Sequence, residues 1–162
     1  MPYYDYYQSP HGRMLLVADD KALTGVYFTG QKYQPRIEEG WKKDERHASL
    51  RRAKRELAEY FGSTRRRFTV KVAPRGTPFQ RAVWKAIAGV GFGRTIAYAE
   101  LARRAGRPGS ARAAGAATGR NPIGIIVPCH RIVGSNGALT GYAGGLAKKR
   151  ALLTLEGPSL DR

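Results

Sequence analysis

The chain has a single cysteine, Cys129, in 162 residues. One thiol excludes an intramolecular disulfide and a multi-thiolate zinc site. Acidic residues are scarce, 12 against 29 Lys and Arg, for a net charge of +17. No apolar run approaches the ~20 residues needed to span a bilayer. The first residues, Met1-Pro2-Tyr3-Tyr4-Asp5-Tyr6-Tyr7, have neither the basic region nor the apolar core of a secretory signal. A cytoplasmic or nucleoid location is therefore expected. Internal repeats and low-complexity tracts are missing too. What remains is a globular composition, 42% hydrophobic, long enough for one or two small domains with a real core.

A positive excess of this size attracts polyanions, nucleic acid first and anionic membrane surface second. Its distribution favours nucleic acid. Residues 76–157 hold 12 basic and 2 acidic side chains, Glu100 and Glu156, for a net +10. The acid-poor half also holds the cysteine.

The first half reads as short strands near residues 3–7, 14–18 and 23–28, with an irregular loop over 30–43. Asp44 is positioned to cap a helix reaching about residue 61, with Leu50, Ala53, Leu57, Tyr60 and Phe61 as its apolar stripe and Gly62 as its stop. Residues 66–72 return as a strand, and Pro74-Arg75-Gly76 reads as a linker.

The second half reads as helical. Thr77-Pro78-Phe79-Gln80 is a capping-box start with proline at the first helical position. Phe79, Val83, Trp84 and Ile87 give that helix a buried face. Helices follow near 98–105, stopped by Gly106, and near 111–117, with Ser110 placed to cap. Two short helices joined by a few residues with Gly and Pro suggest a helix-turn-helix. A last helix covers about 146–155.

The helix over 111–117 is an unusual DNA reader. Major-groove readout needs long side chains that reach base edges. Ala111-Arg112-Ala113-Ala114-Gly115-Ala116-Ala117 offers one, Arg112. Its small residues suit either close packing in a core or close approach to a surface such as a narrow minor groove.

The richest stretch is Asn121-Pro122-Ile123-Gly124-Ile125-Ile126-Val127-Pro128-Cys129-His130-Arg131. Taken alone, a free cysteine after an apolar run reads first as a small buried hydrophobe. Yet a base and a cation follow it directly, and nearby positive charge lowers a thiol's pKa and exposes its nucleophilicity.

Asn-Pro followed by Pro-Cys-His-Arg resembles the active-site signature of the O6-alkylguanine-DNA alkyltransferases. The resemblance runs from about Thr77 to Glu156, through Thr77-Pro78-Phe79-Gln80, Ile96-Ala97-Tyr98, Ala111-Arg112-Ala113 and Gly141-Tyr142-Ala143-Gly144-Gly145. In the first half it is carried by Ser9-Pro10-His11-Gly12 and Leu23-Thr24-Gly25-Val26-Tyr27-Phe28.

The resemblance implies an α+β fold in two parts. Residues 1–75 would form a ribonuclease-H-like α/β domain. Residues 76–162 would form a helical, winged-helix-like DNA-binding domain with a helix-turn-helix. It implies irreversible transfer of the alkyl group of O6-alkylguanine, and of O4-alkylthymine, to Cys129. The partner is double-stranded DNA held through its minor groove, with the protein a monomer and cooperative assembly along DNA left open. The contacting residues are Arg112, Ala111, Ala113, Gly115 and Ser135, with Arg112 inserted into the base stack.

In that reading Cys129 is activated through a water by His130, which Glu156 orients. Tyr98 contacts a ring nitrogen on the minor-groove edge, and Asn121 braces the turns around the site. Tyr142 and Ala143 form a wall of the guanine pocket. The Ala143 N–H meets the guanine oxygen, and the Cys129 and Ile132 carbonyls meet its exocyclic amine. No metal or organic cofactor is needed. Some relatives carry zinc in the first half, but His11 and His47 alone do not make a site.

Each residue keeps a plainer alternative. Glu156 is also a helix-end carboxylate, Tyr98 one of nine tyrosines, Asn121 a turn former, and Gly144-Gly145 an ordinary flexible turn. Two other functions compete: a lesion-binding protein without transfer, which Cys129 argues against, and a Cys-His hydrolase, in which nucleophile and base usually lie far apart in sequence.

Overall fold

The computed structural model describes residues 2–157. The chain divides into two compact units, Met1–Arg75 with Pro122–Gly124, and Gly76–Asn121 with Ile125–Arg162.

The first unit is built on a four-stranded sheet in the order β3-β2-β1-β4, with β1 Tyr3–Ser9, β2 Gly12–Ala18, β3 Leu23–Phe28 and β4 Lys42–Lys43. β1, β2 and β3 pair antiparallel, and β4 joins β1 in parallel. The β1–β2 turn is tight because Ser9 Oγ accepts from His11 N and donates to the Gly12 carbonyl, at 3.1 and 2.7 Å. Gly12 sits at φ 115°, where an L side chain is strained. Met14 to Ala18 are all buried, so neither face of this central strand meets solvent. The loop expected over 30–43 thus ends in a strand, since Lys42 N and Asp44 N bond the Pro2 and Tyr4 carbonyls.

α1 (Ala48–Phe61) buries Leu50, Ala53, Leu57 and Tyr60, the expected stripe except for half-buried Phe61. Its cap is His47 rather than Asp44. The imidazole accepts from Ser49 N at 3.2 Å, while Asp44 closes a turn just before the helix by accepting from Arg46 N at 3.0 Å.

The strand expected over 66–72 does not form. Glu56, fully buried on α1, accepts from Thr69 N, Thr69 Oγ1 and Val70 N at 2.8, 2.5 and 3.1 Å. A carboxylate thereby takes the donors a ladder would use, and only one parallel bridge, Leu23 to Val72, remains. Burial alone would raise the Glu56 pKa. Its hydrogen bonds from Thr69, Val70 and Arg52 prevail and hold it at about 2.

Residues 122–124 also meet β3 of this sheet, through an isolated parallel bridge from Val26 to Ile123. Val26 N donates to the Pro122 carbonyl at 2.8 Å and Gly124 N to the Val26 carbonyl at 2.9 Å.

The second unit begins with α2 (Pro78–Ala88), which carries the full Thr77/Gln80 capping box. Val83, Trp84 and Ile87 are buried. Phe79, expected to join them, is only half-buried, and the Arg107 guanidinium lies 4.5 Å over its ring. β5 (Ile96–Ala97) leads into α3 (Tyr98–Arg104), and α4 (Ala111–Gly119) follows. Ser110 stands at the α4 N-cap but makes no side-chain cap bond. A 3₁₀ turn, Cys129–Arg131, runs into β6 (Ile132–Val133), which pairs in parallel with β5. α5 (Leu146–Glu156) closes the described chain. Among the described residues no helix is long and apolar enough to cross a membrane.

Candidate active site

Cys129 opens the 3₁₀ turn with 9% of its surface exposed. Burial raises its thiol pKa above the ordinary 9.0, against the pull of a hydrogen bond from Asn121 and the charge of Lys149. The cation expected to activate it, Arg131, is occupied elsewhere. Its guanidinium grips Glu156 through Nε and Nη2 at 2.8 and 3.1 Å and donates to the Val90 carbonyl through Nη1 at 2.6 Å. Such paired, planar donation is what a guanidinium does best when buried.

His130 is fully buried, and its Nε2 meets Glu156 Oε2 at 2.6 Å. Burial alone would raise the Glu156 pKa, but His130 and Arg131 more than offset this and hold it at about 2. An ionised carboxylate only accepts, so Nε2 carries the proton. Burial also pushes the His130 pKa below 6.5, against the pull of Glu156, so the ring is neutral. Its other nitrogen, Nδ1, is buried with no hydrogen-bond partner among the described residues. The result is an oriented imidazole with a free basic lone pair, one residue from the thiol.

Tyr98, at the first turn of α3, points its phenol toward the Thr140 carbonyl at 3.5 Å, too long for a strong bond. Burial, with the Cys129 charge adding to it, raises the phenol pKa and keeps its proton available for donation. Asn121 is buried, and its amide donates to the Val127 carbonyl at 2.9 Å besides its bond to the thiol.

Lys149 of α5 went unforeseen. Its side chain is fully buried, and Nζ donates to the Ile132, Thr140 and Gly141 carbonyls at 2.6, 2.7 and 3.2 Å. It therefore ties the 140–141 turn to β6 and places a positive charge near the sulfur. The spacing 149, 152, 156 (i, i+3, i+7) on one helical face, with Leu152 and Glu156 also buried, was the available signal.

Over residues 2–74 the chain matches the family described as 6-O-methylguanine DNA methyltransferase, ribonuclease-like domain, and over 78–158 the same family's DNA binding domain. The chain belongs to the 6-O-methylguanine DNA methyltransferase family. Its two-domain architecture and its enzyme class, methylated-DNA–protein-cysteine S-methyltransferase, follow from that membership. The methylated-DNA–protein-cysteine methyltransferase of Methanosarcina acetivorans is 45% identical over 155 residues, 96% of this chain and 98% of that one. The Haemophilus influenzae protein of the same name is 40% identical, covering 99% and 89%. The crystal structure of Mycobacterium tuberculosis OGT in complex with DNA superposes with a TM-score of 0.87 at 41% identity, covering 97% and 96%.

Against this family frame, the acceptor, base and carboxylate residues of the sequence reading come together: Glu156 bonds His130, Asn121 bonds Cys129, and Tyr98 feels the Cys129 charge. The Ile132 carbonyl accepts from Lys149 and the Cys129 carbonyl from Ile132 N, one bond each, and a carbonyl oxygen has two lone pairs. Tyr142 and Ala143 lie half-exposed in the turn closed by Gly145 N on the Tyr142 carbonyl at 2.9 Å. Ser135 is exposed in the 134–138 turn.

α4 is buried along one face and exposed along another. Ala114, Ala117 and Thr118 are buried, with Trp84 Nε1 on the Ala117 carbonyl at 2.8 Å, while Arg112 and Ala113 face out and Ala111 is half-buried. Gly115 lies against the Tyr98 ring, where an added Cβ would meet it at 3.6 Å.

Proposed function

We propose that this chain repairs O6-alkylguanine in DNA, and O4-alkylthymine as well, by moving the alkyl group once and irreversibly onto Cys129. The observation that carries this reading is the neutral His130. Its Nε2–H is fixed on ionised Glu156, and its Nδ1, without a hydrogen-bond partner among the described residues, belongs to the residue next to the only thiol.

Nδ1 takes the thiol proton through one water. The thiolate attacks the alkyl carbon, and the S–C bond forms as the C–O bond breaks. The electron pair passes into the guanine, where Tyr98 donates a hydrogen bond to the ring as charge grows. The proton taken from the thiol completes the neutral base. Lys149 and Asn121 favour the thiolate that burial opposes. Tyr142 and Ala143 wall the pocket, and the Ala143 N–H meets the guanine oxygen. A thioether is a poor leaving group, and the chain has no second cysteine, so each molecule reacts once.

The lesion is inaccessible within a stacked duplex, so it must be flipped out. α3, the 105–110 turn and α4 act as the helix-turn-helix of a winged-helix-like domain docked in the minor groove. Exposed Ala113 and Ala116 allow close approach, Ala111, Gly115 and Ser135 flank the groove, and Arg112 fills the vacated stack. The DNA complex of the Mycobacterium tuberculosis relative supports DNA as the partner. Residues 76–162 then carry binding and chemistry and residues 1–75 support them, in a monomer working in the cytoplasm.

The test is incubation with duplex DNA holding O6-methylguanine, followed by intact-protein and peptide mass. One methyl per chain on the Cys129 peptide is expected, with product levelling at equimolar, and Cys129→Ser should bind DNA without gaining mass. Retained binding without methyl gain in the natural chain would reduce the function to lesion recognition.

A further inference from the structure

The first unit holds a groove of about 560 Å³ that the alkyl-transfer chemistry does not use. Lys21, Arg51, Arg52, Arg55 and Lys71 line it, along with Ser49. These cations come from three separate segments: the turn before β3, the exposed face of α1, and the segment bridged to β3. All five are exposed.

The pairing on α1 is selective. Arg52 reaches Glu56 at 3.1 Å, and Lys54, outside the groove, pairs with Asp5. Arg51 and Arg55, like Lys21 and Lys71, make no ion pair among the described residues. Arg51 and Arg55 stand four apart on one helical face, a like-charge spacing that destabilises an isolated helix. The first turn of α1 contains no acid to relieve it. Concentrated, unneutralised positive charge in a concave surface is the electrostatic footprint of a polyanion site.

We propose that this groove is a second DNA contact, holding phosphodiester backbone without reading sequence, in addition to the contact made by α4. The proposal rests on the reading that the protein works on DNA. Guanidinium groups suit phosphate by paired donation, and ammonium groups act as point charges. Such a contact adds affinity and residence on DNA without touching the chemistry.

The experiment measures affinity for undamaged duplex DNA against salt, using the full chain, Arg51→Gln/Arg55→Gln, and Lys21→Gln/Lys71→Gln. Each phosphate contact contributes about 0.9 to the slope of log affinity against log salt, so each pair should flatten it by about 1.8. Methyl uptake from free O6-methylguanine base should match the natural chain in both variants, which also shows that they are folded. A flattening on long duplexes alone assigns the groove to flanking or second-segment DNA. Flattening on short duplexes too assigns it to the segment held by α4.

Slopes equal to the natural chain's in both variants overturn the proposal. So does loss of binding to phosphatidylglycerol vesicles with the DNA slope unchanged, which would assign the groove to membrane. If the natural chain neither binds DNA nor gains a methyl group, the functional reading itself fails, a result distinct from equal slopes.

Discussion

His130 and Glu156 meet at 2.6 Å between Nε2 and Oε2, both side chains shut away from solvent, and Arg131 holds the same carboxylate from the other side. One carboxylate thus sets the tautomer of the base and neutralises a buried guanidinium. Replacing it affects two partners at once. Glu156→Gln should slow alkyl transfer at least 100-fold, because an amide does not dictate which imidazole nitrogen keeps the proton. It should also lower stability by about 3–5 kcal/mol, since Arg131 is left buried without its counter-charge. Single-turnover kinetics and denaturant unfolding separate the two effects. Unchanged kinetics would remove Glu156 from the chemistry.

Stability should fall on both sides of neutrality, for opposite reasons. The folded pKa of Glu156 is depressed from 4.5 to about 2, so its contribution is present above 4.5 and lost as pH falls toward 2. That drop corresponds to about 3 kcal/mol. His130 is also depressed, from 6.5, so its contribution begins to fade at higher pH, just below 6.5. Cys129 is raised above 9.0, so its contribution holds below 9.0 and is lost as pH climbs through the folded value. Denaturant midpoints across pH should peak between about 6.5 and 9. In Cys129→Ser the alkaline loss attributable to the thiol should disappear.

Lys149→Met should raise the thiol pKa further and release the 140–141 turn, because one ammonium serves both. Alkylation by iodoacetamide, followed against pH, should shift to higher pH and slow by about tenfold at neutrality if the lost charge is worth one pKa step. Lys149→Arg should not rescue it, as a planar fork does not fit three carbonyls arranged around a point charge. A reactivity profile identical to the natural chain's would confine Lys149 to a structural role.

Arg112→Ala should slow repair of duplex DNA markedly and barely change reaction with free O6-benzylguanine, which needs no flipping. The side chain is exposed on α4 and lies outside the Cys129 hydrogen bonds. Equal losses on both substrates would assign it to pocket structure instead.

The sequence made the chemistry more legible than the packing. Glu156 stood out because residues 76–157 contain so few acids, and Thr77/Gln80 because a capping box is a purely local device. Lys149 and Glu56 were illegible for a shared reason. Each is a charged residue buried on a helix, and each finds its partners far along the chain, at 132 and 140–141 or at 69–70. A pattern read residue by residue assigns such charges to solvent. Glu56 also erased the strand expected at 66–72, for β-propensity does not register that a distant carboxylate will claim the backbone donors. The role given to Arg131 failed likewise: adjacency in sequence to Cys129 counted for less than the buried carboxylate 25 residues on.

The detour of Pro122–Gly124 into the first unit bears on how the protein comes apart. The chain passes between the two units three times, after Arg75, Asn121 and Gly124. After a cut at Arg75, the hydrogen bonds of residues 122–124 to Val26 should persist, and the N-terminal fragment should co-elute with the rest. Melting the first sheet frees a segment ending five residues before the nucleophile. The halves should therefore unfold in one cooperative transition, and thiol protection against a labelling reagent should vanish with the first sheet's backbone amide protection.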